Sequence, residues 1–142
     1  TMSQHPGPWS GQCLCGGIHY QVEAIRPQMA HCHCSMCRKF HGAAFATFGV
    51  AKKEDFNWLS GKELLASYRA ENGTVRQFCK NCGSSMTFAS SGCTGEVVEF
   101  ALGTLDNPLN MQPDAHIYTQ SKADWYEIED TLPRFAEGRE QG

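Results

Sequence analysis

Seven of the eight cysteines in this 142-residue chain fall into close groups: Cys13 and Cys15, then Cys32, Cys34 and Cys37, then Cys79 and Cys82. Cys93 stands alone. Thiols spaced this closely are metal ligands in the making, because two sulfurs one or two residues apart can reach the same ion. Cys13-Leu14-Cys15 and Cys79-Lys80-Asn81-Cys82 together offer four thiolates, a complete tetrahedral zinc shell. Glycines follow both pairs, Gly16-Gly17 and Gly83, and allow the sharp turns that aim backbone amides at sulfur. One ion bound by all four would staple segments separated by 63 intervening residues. Closing so long a loop makes binding part of the folding free energy. Iron in a sulfur-only site, or thiol pairs without metal, are the other readings of these four.

Cys32-His33-Cys34-Ser35-Met36-Cys37 offers three thiolates within six residues. Three protein ligands and one open position is the arrangement of a catalytic zinc. A closed site is the rival, with His41, four residues after Cys37, or Cys93 as fourth ligand. His31 and His33 read as neighbours of the ligands. Nucleophilic pairing of Cys32 with His33 is disfavoured, because adjacent strand residues point to opposite faces. Arg38-Lys39 follow the triplet directly, where they either offset its negative charge and attract an anionic substrate or form a solvated pair. Phe40, Phe45 and Phe48 read as core lining.

The elements that must position these groups are mostly strands. Ile18–Glu23 alternates apolar and polar residues, and Ala44–Val50, Met86–Ala89 and Glu96–Leu102 are further strand-like runs. Asn72-Gly73 between two short runs, 65–70 and 74–78, predicts a hairpin. Short helices are expected at Lys62–Ala66 and Lys122–Tyr126, with a turn of helix at Met36–Phe40. The length suits one mainly-β domain over 11–135, behind a loose leader at 1–10 and ahead of a loose tail at 136–142. The balance of 12 basic against 15 acidic residues, net −3, argues against a nucleic-acid partner. No apolar run is long enough for a membrane helix, and no secretory pattern opens the sequence. The expectation is a cytoplasmic protein.

The order C-x-C-G before a strand, CHCSMCRK with a glycine close behind, and FCKNCG resembles the glutathione-dependent formaldehyde-activating enzyme family, which includes centromere protein V. The likeness continues through Gly103–Pro108, Pro113–Ile117 and Trp125, so it spans about residues 11–135. The resemblance implies a zinc-stapled β-tent (Mss4-like) fold with two zinc ions per chain. Cys13, Cys15, Cys79 and Cys82 would hold the structural ion. Cys32, Cys34 and Cys37 would hold a second, exchangeable ion and carry the chemistry. The implied activity is that of a carbon–sulfur lyase, with glutathione or another small thiol and formaldehyde or a related small electrophile as partners. The alternative is a non-catalytic zinc-binding module whose second site is closed.

Overall fold

A computed structural model describes residues 7–92 and 94–139 of the chain. In chain order the first strands are β1 (Trp9–Gln12), β2 (His19–Val22), β3 (Ala30–Cys32), β4 (Ala46–Lys52) and β5 (Phe56–Ser60). Helix α1 (Ser35–His41) lies between β3 and β4. The later strands are β6 (Leu65–Arg69), β7 (Val75–Cys79), β8 (Ser85–Ala89), β9 (Val97–Ala101) and β10 (Ala115–Ile117). They form two sheets, a three-stranded one ordered β1-β2-β5 and a seven-stranded one ordered β10-β3-β4-β9-β8-β7-β6. All pairings are antiparallel except β10 with β3. No helix among the described residues is long and apolar enough to cross a membrane.

The alternation that marks β2 decides how the sheets meet. Tyr20 and Val22 point inward and are fully buried, while His19 and Gln21 stay half-buried. Tyr20 stacks on Phe56 of its own sheet at 4.8 Å and meets Phe100 of the large sheet at 5.7 Å. Ile18, Met29, Ala51 and Met86 fill the same layer with essentially no exposed surface. Gly11 is required under this ring, because a Cβ there would collide with Tyr20. The hairpin expected at Asn72-Gly73 forms between β6 and β7, with Gly73 at φ +93° and Arg69 opposite Val75.

Several expectations about the elements need correction. The leader assigned to residues 1–10 joins β1 from Trp9, whose buried indole donates to the Pro108 carbonyl; residues 1–6 lie outside the described residues. The tail assigned to 136–142 is tied down as far as it is described. The Tyr118 amide donates to the Glu137 carbonyl, and Arg139 pairs with Asp114 at 2.6 Å. Lys62–Ala66 is only a single 3-10 turn, Lys62–Leu64, that runs into β6. Lys122–Tyr126 is not helical, because the 3-10 turn falls earlier, at Thr119–Ser121, and buried Ala123 holds the following loop. The turn expected at Met36–Phe40 widens into α1, which ends at Gly42 in the left-handed conformation.

Candidate metal centre

The loop between β1 and β2 carries Cys13 and Cys15, while Cys79 ends β7 and Cys82 lies in the turn that follows it. The four sulfurs all lie within 4.8 Å of one another. Cys13 Sγ is 3.6 Å from Cys15 Sγ, and Cys15 Sγ is 3.9 Å from Cys79 Sγ. A tetrahedral ion with metal–sulfur bonds of about 2.3 Å has sulfur–sulfur edges of about 3.8 Å, so the spacing and the donor type suit zinc. The Ile18 amide donates to Cys13 Sγ at 3.3 Å. The Ser84 hydroxyl beside Cys82 pulls that thiol down to about 5. These donors favour thiolate, the form that binds metal. The group joins a turn of the small sheet to a turn of the large one.

The triplet is built by the transition from strand to helix. Cys32 ends β3, Cys34 caps α1, and Cys37 sits in its first turn. The Cys37 amide donates to Cys34 Sγ at 3.2 Å, so the helix start itself orients one sulfur. The three sulfurs lie within 4.8 Å of one another, and no fourth metal-binding side chain joins them among the described residues. Cys32 and Cys37 are buried, and Cys34 is half-buried. Hydrogen bonds from Cys32 and Cys37 hold the Cys34 thiol far below its usual range, while the same contacts and burial push Cys32 up. All seven described cysteines are free thiols. His41, a candidate fourth ligand, instead lies 3.3 Å from Ser85 Oγ through Nε2. Cys93, the other candidate, lies outside the described residues.

The cation at the triplet is not the expected one. Arg38 turns away, and its Nε donates to the Ser121 carbonyl. Arg76 of β7 is the residue that reaches the thiols. It is only 4% exposed, and its Nη2 donates to Cys37 Sγ at 3.6 Å. Its guanidinium lies 5.3 Å from the Phe40 ring centre and 4.9 Å from that of Phe88. The signal for it in the sequence was slight: Arg76 is two residues from Phe78, so both share one face of β7. Of the three phenylalanines read as core, Phe48 is buried, Phe45 packs on His31 and His33, and Phe40 covers Arg76.

Beneath the triplet lies a histidine cluster. His33 is fully buried, with Nε2 2.8 Å from His116 Nδ1, and His116 Nε2 is 2.9 Å from Asp130 Oδ2. Burial and the neighbouring His116 hold His33 down to about 4, so it is neutral at physiological pH. Its side chain thus turns inward, away from any role as partner to the Cys32 sulfur. His116 could not be placed from local sequence, because it reaches His33 only through the parallel pairing of β10 with β3.

The chain as a whole is similar to known proteins. Residues 8–121 match the family model described as glutathione-dependent formaldehyde-activating enzyme. The chain is 29% identical over 128 residues to an uncharacterised lyase of Schizosaccharomyces pombe, covering 89% of this chain and 90% of that protein. It is 30% identical over 126 residues to a protein of Halomonas elongata named as a putative glutathione-dependent formaldehyde-activating enzyme, covering 84% and 80% respectively. A crystal structure of a Rhodobacter sphaeroides protein shares the fold, with a TM-score of 0.60 and 24% identity over 71% of this chain and 91% of that one.

Proposed function

The chain belongs to the glutathione-dependent formaldehyde-activating enzyme family, and on that footing we propose that it is a zinc-dependent carbon–sulfur lyase joining the glutathione thiol to formaldehyde or a related small electrophile. Cys13, Cys15, Cys79 and Cys82 would hold a structural zinc, and Cys32, Cys34 and Cys37 an exchangeable one. The observation that carries this reading is the gathering of three sulfurs without a fourth donor among the described residues, with Cys34 only half-buried. Zinc bound there would supply a position where an incoming thiol gives up its proton at neutral pH.

The chain's own residues hold and balance that position. Three thiolates around a divalent ion would carry one net negative charge, which buried Arg76, 3.6 Å from the Cys37 sulfur, would offset. The α1 N-terminus and the Cys37 amide fix Cys34. In the addition itself, the thiol sulfur forms a bond to the carbonyl carbon. The carbon–oxygen π bond opens, and the oxygen takes up a proton to become the hydroxyl of S-(hydroxymethyl)glutathione. Because thiol addition to formaldehyde is intrinsically easy, holding both reactants together supplies much of the acceleration.

X-ray absorption at the zinc edge, with and without glutathione, tests the open position. Glutathione should add a sulfur to the second ion or withdraw that ion from the protein. His41→Ala should leave the metal in place. If glutathione changes neither coordination nor occupancy and His41→Ala releases the ion, the site is closed and the protein is a non-catalytic zinc-binding module.

A further inference from the structure

Beside helix α1 the structure holds a cavity of about 330 Å³ lined by Met36, Lys39, Phe40, Tyr68, Ala70 and Arg76. We infer that this cavity is a carboxylate subsite for the thiol that the triplet takes, with Lys39 and Arg76 as its cations. The inference rests on the open-position reading above and adds the residues that would recognise the carboxylate of the incoming thiol.

Arg76 is the first argument. A guanidinium that is 4% exposed needs each of its N–H groups filled, since an unpaired buried donor is costly. Its Nη2 has the Cys37 sulfur and its flat faces have two rings, yet Nη1 is buried without a partner. No carboxylate pairs with Arg76 or Lys39 among the described residues, where the ion pairs are His116–Asp130 and Arg139–Asp114.

The walls are the second argument. Met36 and Phe40 lie one helical turn apart on α1 and present one face. Tyr68 stands directly opposite Arg76 in the β6–β7 register, and Ala70 follows on the same side. Apolar walls with convergent cations suit a short methylene chain ending in a carboxylate. Arg76 belongs to both places, touching a thiol of the triplet and forming part of the cavity wall. A molecule with its sulfur at the triplet and its carboxylate in the cavity would therefore be held across a single guanidinium.

The test uses the full chain loaded with cobalt, titrated with glutathione and separately with glutathione diethyl ester. The sulfur-to-cobalt charge-transfer absorption reports thiol binding. Glutathione should bind roughly three- to tenfold more tightly than the ester, the size expected for a partly screened charge pair, and the preference should shrink as salt rises. Lys39→Gln, a change at an exposed position of α1, should bring the two affinities together. Lys39→Glu should invert them. Equal binding of acid and ester to the wild type, or a preference unchanged in both Lys39 variants, overturns the subsite while leaving the open position standing. If neither thiol alters the wild-type spectrum, the open position itself is wrong and the subsite falls with it.

Discussion

His33 Nε2 and His116 Nδ1 face each other at 2.8 Å in the interior, and a single proton lies between them. Asp130 accepts from His116 Nε2–H, and with both rings neutral that tautomer makes His116 Nδ1 the acceptor and His33 Nε2 the donor. His33 Nδ1 then carries a lone pair with no partner. The chain of three residues anchors the backbone between Cys32 and Cys34 to a loop that follows β10.

His116→Ala should strand the buried His33 donor. The expected cost is about 1–3 kcal/mol, the usual penalty for an unpaired buried polar group, with a lower metal content at the triplet. Thermal melting and metal analysis check both effects. An unchanged melting temperature would remove the structural importance of the relay.

Cys79→Ser should behave more severely. Its sulfur is one of four that join the two sheets, and a metal-dependent staple of this kind is worth as much as the whole stability of a small domain, about 5–15 kcal/mol. The variant should lose its cooperative melting transition and one metal equivalent. Wild-type melting with full metal content would show that the four-cysteine group is not structural.

Cys34→Ala should separate the two centres. Its three sulfurs come from six consecutive residues and close only a short loop, so removing one should release a metal equivalent without unfolding the sheets. Far-ultraviolet circular dichroism should stay close to wild type while metal content falls. Global unfolding would make the triplet a structural site.

Glu99 provides a pH-dependent prediction. Burial alone raises its carboxyl above the usual 4.5, so the folded chain holds this proton more tightly than the unfolded chain does. Its effect on stability therefore turns unfavourable as pH rises from 4.5 through the folded value, and the cost persists at neutral pH. Glu99→Gln should raise the melting temperature by a few degrees at pH 7 and change little at pH 4. A melting temperature that falls at pH 7 would reveal a favourable partner for the carboxylate.

The cysteine groups were legible in the sequence because their members are close neighbours, whereas the two halves of the first group meet only where the β1–β2 turn packs on the β7–β8 turn. Strands with clear alternation were legible for the same local reason, as at Tyr20 and Val22. What escaped were features that depend on distant pairing. Strand β3 is three residues long and leans on β10, and His116 reaches His33 across 83 positions. Arg76 escaped because a charged residue in a strand reads as solvent-facing until α1 and the ring of Phe40 cover it. The leader was misjudged at Trp9, whose neighbouring Pro, Ser and Gly hid one large apolar side chain that the core takes up.

The parallel pairing of β3 with β10 also sets an order of events during synthesis. All four sulfurs of the first group exist once Cys82 has been made, whereas the strand that buttresses Cys32 is made only with Ala115–Ile117. A nascent chain halted between those points carries all four sulfurs of the first group and a triplet without its neighbouring strand β10. Long-range pairing of this kind forms late, so the triplet thiols should be the last to become protected. Pulsed alkylation of stalled chains would show it, with Cys34 remaining reactive after Cys13 and Cys79 have fallen silent.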